Sequence, residues 1–448
     1  MIRYKVEISP KSSSGYASYI DVTDKIDAQG VGEITKSIDS SDYTFGVFTF
    51  SDITLKAKNY NGYFNINDYR SIFPYGRNLS KVKITFIEFD NDVTTTETNQ
   101  IVFDGIINDE ATRLDVTSGI ISFKVLSFDS VLRTQKVNAG SVTNESLISE
   151  AIFVILNQAD ITNVLTVTTA NINVDTDIII DNGSAFDNLN VQDALDELLL
   201  MSNSCLIINS DNEAIIKNRS SATLAGALNL YGTFDIHRRE NIIDIKSYND
   251  GFHRTFTSVT INNTNYTNTG YSKDFGYRVK KISFNSITDQ SKSLTIATNL
   301  VEEFKSPKIE MEVTVRTKIA KKFDVLSPVS VNYPFKIVPV EDKFFPVCGV
   351  TTIGSTDTPL PNLYGSIAIS DSIAFKILEI NHSVKQFTTT LKLRQSGTDT
   401  GDGFFYESAI VGFAKIGSSV LETDALNYNL DYVPSVLGGA IINNISST

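Results

Sequence analysis

Residues 375–397, FKILEINHSVKQFTTTLKLRQSG, set the pattern that recurs through much of the chain. Phe375, Ile377 and Glu379 alternate with Lys376, Leu378 and Ile380; after a polar turn, Thr389, Leu391 and Leu393 alternate with Thr390, Lys392 and Arg394. A period of two sends successive side chains to opposite faces of a sheet. The stretch therefore predicts a β-hairpin with one mainly apolar face and one wet face carrying Lys392 and Arg394. His382 falls at the end of the first strand, where a turn-capping role is expected of it.

The same reading gives strands through residues 1–135, at IRYKVEIS, FGVFTFSDITLKAK, KVKITFIEF, QIVFDGIIN and GIISFKVLSFD. Turn-rich pieces such as NYNGYFNIND separate them, and the arrangement suits antiparallel pairing. Between 136 and 230 the spacing becomes helical. Leu147, Ile148, Ala151, Ile152, Val154 and Ile155 line one side of a helix after Asn144, and Val191, Ala194, Leu195, Leu198 and Leu199 line another after Asn190. SCLIINSDNEAIIKNR then reads as a hairpin turning around Ser210, Asp211 and Asn212, so an α+β insert is expected here.

From 231 to 397 the β pattern resumes at NIIDIKSYND, RTFTSVTINN and IEMEVTVRTK. It is broken by one helix that starts near Thr288 or Asp289, carries Leu294, Ala297, Leu300, Val301 and Phe304, and ends at Ser306 before Pro307. That helix is expected to back the apolar side of the 375–397 hairpin. Residues 345–373 are rich in Pro, Gly, Ser and Thr, and 398–448 form a tail whose aromatic pair Phe404 and Phe405 suits partner binding. FDGIINDEATRLDVTSGIISFKVL, from Phe103, resembles the hairpin from Phe375 in layout, as an internal duplication would require. The fold class is thus mainly β with minor α, built as two antiparallel β domains around an α+β insert.

Composition narrows the function. The 448 residues suffice for several cores. A net charge of −13 argues against a protein that grips nucleic acid through clustered Lys and Arg, while leaving an acidic wall to which a duplex does not stick. The N-terminal strand MIRYKVEISPK lacks a signal-peptide core, and no run reaches the roughly 18 apolar residues of a membrane span. Cys205 and Cys348 stand far apart and read as buried thiols of a chain made in a reducing cytoplasm.

The inventory for chemistry is thin. His237, His253 and His382 are isolated, with no metal-ligand spacing. Glu302 and Glu303, adjacent on a helix, point about 100° apart and are expected on a solvated face. No phosphate-cradling glycine loop occurs, and the absence of Trp weakens a sugar-binding reading. The basic groups His237, Arg238, Arg239 and Lys280, Lys281 read as solvated strand edges, and Asn262-Asn263-Thr264 and Asn265-Tyr266-Thr267 as an Asn-rich loop. Neither catalysis, cofactor nor metal is expected.

The order of elements carries a resemblance. EITKSIDSSDYTFGVFTFSDITLKAKNYNGYFN, KVKITF, QIVFDGIIN and ISFKVLSFDSVL resemble the first domain of phage baseplate and tail-tip hub proteins. DALDELLLMSNSCLIINSDNEAIIKNR, NIIDIKSYND, EMEVTVRTK, KKFDVLSPVSVNYP with Phe323, Asp324 and Val325, and FKILEINHSVKQFTTTLKL fall where that family has counterparts. The likeness extends over about residues 1–396 in layout, without a catalytic signature.

It implies two tail-tube-like β-barrel domains, 1–135 and 231–397, separated by the insert 136–230. It further implies a homotrimeric ring that adapts a sixfold tail tube to a threefold tip. A tube or distal tail protein ring would lie above, and a spike, fibre or plug below. Tape-measure protein and DNA would pass the lumen without specific binding, in a virion made in a bacterial cytoplasm and with no membrane insertion by this chain. Lys392 and Arg394 would then face a neighbour or the channel. Residues 398–448, with Phe404 and Phe405, would reach the lumen, clasp a neighbour or await a partner. The alternative is a receptor-binding or carbohydrate-depolymerising tail protein.

Overall fold

The computed structural model describes residues 2–13, 15–38, 51–66, 68–88, 98–162, 164–209, 212–219, 228–231, 242–249, 251–317, 324–334, 338–339, 363–364, 368–369 and 374–396. The fold is mainly β with few helices, as the alternation requires. The chain forms two compact units. The larger takes in Met1–Ala222, Ile243–Ser327 and Lys376–Ser396.

Its N-terminal part contributes β1 (Ile2–Ser9), β2 (Ile20–Asp21), β3 (Ile26–Val31), β4 (Glu33–Ser37), β5 (Asp52–Lys58), β6 (Lys81–Glu88), β7 (Thr98–Asp115) and β8 (Ile120–Ser127). Seven of these form one sheet in the order β2-β1-β6-β7-β8-β5-β3, antiparallel at every pair. Alternation is realised cleanly in β5, where Ile53, Leu55 and Ala57 point inward and their neighbours outward. Register shifts at Ile84/Thr85, Ser122/Lys124 and Ile26/Val31 mark irregularities of the kind that bend and twist a sheet.

The sequence between β5 and β6 reads as turns, yet it closes the core. Phe64 and Phe73 are fully buried there and pack on Phe123 of β8, with ring centroids 5.5 and 6.3 Å away. Buried Asn59 holds the loop by accepting from the Phe64 amide at 2.9 Å, so the backbone polar group is satisfied where the ring enters the core.

The insert contains α1 (Ile148–Leu156), β9 (Thr166–Ile172), α2 (Val191–Met201), β10 (Ser204–Ile208) and β11 (Glu213–Asn218). β10 and β11 form the expected antiparallel hairpin, and β9 joins β11 in parallel. α2 buries the full stripe expected of it, Val191, Ala194, Leu195, Leu198 and Leu199. α1 starts later than its capping signal suggests. Asn144 accepts from Gly183 N at 2.8 Å instead, the Leu147 amide donates to Glu150 Oε2 at 3.1 Å, and Val154 is exposed.

Four further strands, β13 (Ile242–Asn249), β17 (Glu310–Arg316), β20 (Ala374–Ser383) and β21 (Thr388–Gln395), make a second antiparallel array. Their order is β20-β21-β17-β13. Between β13 and β17 run β14 (Ser258–Ile261), β15 (Thr264–Thr267), β16 (Val279–Ile282) and α3 (Gln290–Phe304). The Asn-rich loop is a tight β14–β15 hairpin turn: Asn262 and Asn263 both have positive φ, and Asn262 Nδ2 donates to Phe284 O and Ile287 O at 2.7 Å. In the smaller unit, β12 (Leu228–Tyr231) runs parallel to β18 (Pro328–Pro334), which pairs antiparallel with β19 (Ala368–Ile369).

The two hairpins with similar sequence layout hold equivalent places. β8 of the β7–β8 hairpin pairs with the earlier strand β5, and β21 of the β20–β21 hairpin pairs with the earlier strand β17. A second link crosses between the sheets. β4 leaves the first sheet and adds antiparallel to β20, with Lys36 opposite Ile380 and Ile34 opposite His382. Ile34 nevertheless stays in the first sheet's core, and Val384 from the far hairpin enters that same core.

α3 begins at Asp289, whose carboxylate caps the Ser291 and Lys292 amides at 2.6 and 3.1 Å. Its buried face is Ser293, Ile296, Ala297, Leu300, Val301 and Phe304, packed on β14 and β15 and continuous with the insert's core. The helix thus backs the small sheet and the insert rather than the apolar side of the 375–397 hairpin, whose Phe375, Ile377, Leu391 and Leu393 lie outside that cluster. Leu294 is 43% exposed, because the stripe is centred one step round from it. Leu300→Ala should therefore lower unfolding free energy by about 2–5 kcal/mol, and Leu294→Ala by no more than about 0.5 kcal/mol, in urea titrations of the full chain.

Candidate functional site

The Arg394 end of the hairpin face expected to be wet is covered within its own chain. Glu310 of β17 sits directly across from Arg394 of β21, and both are buried. The Arg394 guanidinium lies 4.7 Å from the Phe304 ring centroid of α3, a cation–π contact, with its Nε 3.8 Å from Glu310 Oε1. Arg254 approaches the same carboxylate at 2.8 Å and His253 at 3.8 Å. Gly251 makes this approach possible. At φ +70° its Cα passes so close to Lys308 O that a Cβ would stand 1.9 Å from it.

A second carboxylate completes the cluster. Glu303, expected on a solvated face, is half-buried, with its side chain 15% exposed, whereas its neighbour Glu302 faces out toward Lys305 and Asn268. The 100° helical step that separates the pair also rotates Glu303 inward beside Leu300 and Phe304. Burial alone would raise its pKa, but Lys308 at 3.5 Å, with Lys376, Arg394 and Arg219, outweighs that and holds it at about 2. Arg219 at the end of β11 donates to Ser204 O at 3.2 Å, and burial pushes it down to about 10. Burial likewise lowers Lys376 to about 8, against the pull of Glu303.

The cluster thus joins the insert, α3, β17 and the β20–β21 hairpin through charge. Buried ion pairs of this kind add little net stability, but removing one partner is costly, which makes them devices for fixing register. Lys392 is half-buried and lies across from Glu312. Phe404 and Phe405 lie outside the described residues, as do Phe323, Cys348, His237, Arg238 and Arg239. Cys205 is fully buried, and burial pushes its thiol up.

His382 is buried, with Nδ1 2.8 Å from Thr389 Oγ1 across the hairpin and its ring edge-on to Phe86 of β6 at 5.6 Å. Burial lowers its pKa to about 4, so the ring is neutral and structural. Asp104 of β7 shows the opposite effect. Its burial raises the carboxyl to about 7 despite Lys83 and Lys81 nearby. Among the described residues no group of three or more His, Cys, Asp or Glu is placed to hold a metal, and no helix is long and apolar enough to cross a membrane.

No protein-family model matches the sequence, and no curated protein matches it. Solved structures do. A tail protein from Neisseria meningitidis MC58 matches with a TM-score of 0.51 at 10% identity, over 88% of this chain and 96% of that one. The 43 kDa tail protein of prophage MuSo2 from Shewanella oneidensis matches at 12% identity and TM-score 0.48, over 88% and 98% of the two chains. Prophage tail protein gp18 from Listeria monocytogenes EGD-e matches at 11% and 0.48, over 88% and 95%. The likeness is one of fold: this chain shares the fold of the Neisseria tail protein.

The two titrating groups make opposite contributions. An imidazole whose folded pKa falls from 6.5 to about 4 contributes stability that is full above 6.5 and lost as pH falls toward 4. His382→Asn should remove a pH-dependent difference of roughly 3 kcal/mol across that window. For Asp104, a pKa raised from 3.8 to about 7 destabilises the fold progressively as pH rises between those values. Asp104→Asn should gain on the parent by up to about 4 kcal/mol at pH 8 relative to pH 4. Urea titrations of parent and variants at stepped pH measure both differences.

Proposed function

We propose that this chain is a structural, non-enzymatic component of a phage tail: a hub protein that forms a ring of three copies at the tail tip or baseplate. The observation that carries the reading is internal. One polypeptide holds two antiparallel sheets in which similar hairpins, β7–β8 and β20–β21, occupy equivalent positions, and it stitches them together through β4. Three such chains present six related sheets, which suits the adaptation of a sixfold tube to a threefold tip.

In this reading the ring contacts a tube or distal tail protein above and a spike, fibre or plug below. The net charge of −13 leaves the passage of tape-measure protein and DNA free of adhesion. Residues 1–135, 136–230 and 231–397 serve as first tube-like domain, insert and second tube-like domain. Residues 398–448, with Phe404 and Phe405, are assigned to partner or lumen contacts. Lys392, on the half-buried side of β21, is the hairpin residue assigned to a neighbouring chain or the channel; Arg394 acts from inside by fixing the hairpin that presents it.

Mass measurement of the purified full chain should give a species three times the chain mass, and images of tail tips should show a threefold ring containing it. A strictly monomeric protein, with no such ring on the particle, would sink the proposal. Saturable binding or cleavage of host polysaccharide by that monomer would favour a receptor-binding or depolymerising tail protein instead.

A further inference from the structure

Two side chains of the β20–β21 hairpin reach the first sheet. Val384 joins that sheet's core, and the His382 ring stands edge-on to Phe86 of β6, with centroids 5.6 Å apart. His382 is 7% exposed and lies directly opposite Ile34 of β4, in the ladder that ties the two arrays together. It is a polar wedge in an apolar seam.

Among the described residues its one hydrogen-bond partner is Thr389, whose Oγ1 lies 2.8 Å from Nδ1 and 3.2 Å from Thr317 Oγ1. Both threonines are buried. A neutral imidazole has a single N–H, whereas the protonated ring donates from both nitrogens. Protonation would leave one of those donors without a partner and bring a charge in beside Ile34 and Phe86.

The groups around the ring do not offset that cost. Lys36, two residues along β4 on the same face, is itself positive and is held by Asp324 at 2.7 Å. Glu33 and Glu379 alternate to the other face, where Asn381 reaches Glu33 at 3.1 Å. β6 and β1 bring Phe86 and, across from it, Tyr4; β17 brings Val315, opposite Thr389, with Thr317 just beyond its end. Burial alone accounts for the ring's lowered basicity.

We propose that His382 is an acid-sensitive latch on this seam: its protonation releases the β4–β20 ladder while the first sheet stays folded. Release would uncouple the two arrays that β4 holds together. The inference concerns a single chain and stands apart from the proposed ring.

Hydrogen exchange of the full chain, read by mass spectrometry at pH 7 and pH 5 and corrected for intrinsic rates, tests it. With a pKa of 6.5 when released and about 4 when latched, the ring should raise the opening equilibrium of residues 33–38 about twentyfold at pH 5. Residues 82–86 of β6 should keep their protection. In His382→Asn the pH difference should vanish. Equal protection of 33–38 at both pH values, a parallel loss in 82–86, or persistence of the difference in the variant would overturn the latch. If His382→Asn fails to fold, intermediate pH steps in the parent decide: the rise must follow one proton between pH 6.5 and 4, and any other onset overturns the proposal.

Discussion

The addition of β4 to β20 is the constraint on which the arrangement of this chain rests. Backbone pairing runs from Glu33 opposite Ser383 to Ser37 opposite Glu379, and Ile38 N extends it by donating to Leu378 O at 2.8 Å. Each such bond is worth only about 1 kcal/mol net, but breaking the ladder would leave buried backbone groups without partners, which is far more costly. The strand cannot move with either sheet alone, because its backbone belongs to the second while Ile34 belongs to the first sheet's core. Lys36 reinforces the seam, reaching Asp324 at 2.7 Å and Ile208 O at 2.9 Å. The insert is therefore tied in as well.

Charge does for the second face of the hairpin what the strand does for its edge. The apolar faces of α3 and the insert form one continuous core. The hairpin meets that body through Arg394, Glu310, Glu303 and Lys376 rather than through apolar packing alone. Hydrophobic contact is non-directional and would tolerate sliding by a residue. An arginine stacked on Phe304 and aligned with a buried carboxylate does not, since a shift in register would leave the charges without partners. The depressed Glu303 pKa, held down by Lys308, Lys376, Arg394 and Arg219 against its burial, is the electrostatic trace of that arrangement.

How much of this the sequence disclosed follows from the range of each interaction. β1, β6 and β8, α2 and the Asp289 start of α3 were legible, because periodicity and capping are local. Phe64 and Phe73 were not, because turn chemistry masks a loop that folds back onto a sheet. Alternation correctly placed Leu391 and Leu393 inward, yet could not tell that the opposite face meets α3 and the insert, which bury Arg394 and Lys376. Glu303 carried a usable signal, since it precedes Phe304 on the apolar stripe of its helix. β4 carried none: Asn381 Nδ2 reaches Glu33 Oε2 at 3.1 Å across a separation of 348 residues, and no local pattern encodes that partner.

The long-range seam also bears on assembly. If three chains imitate six units, the two sheets in each chain must hold one fixed relation, as two separate subunits around a sixfold axis would. A flexible linker between independent domains would leave that relation to the neighbours and add an ordering cost to each ring. A shared strand, a shared core through Ile34 and Val384, and the His382–Phe86 contact prepay that cost during folding. The chain's own folding then supplies the geometry that ring closure would otherwise have to impose.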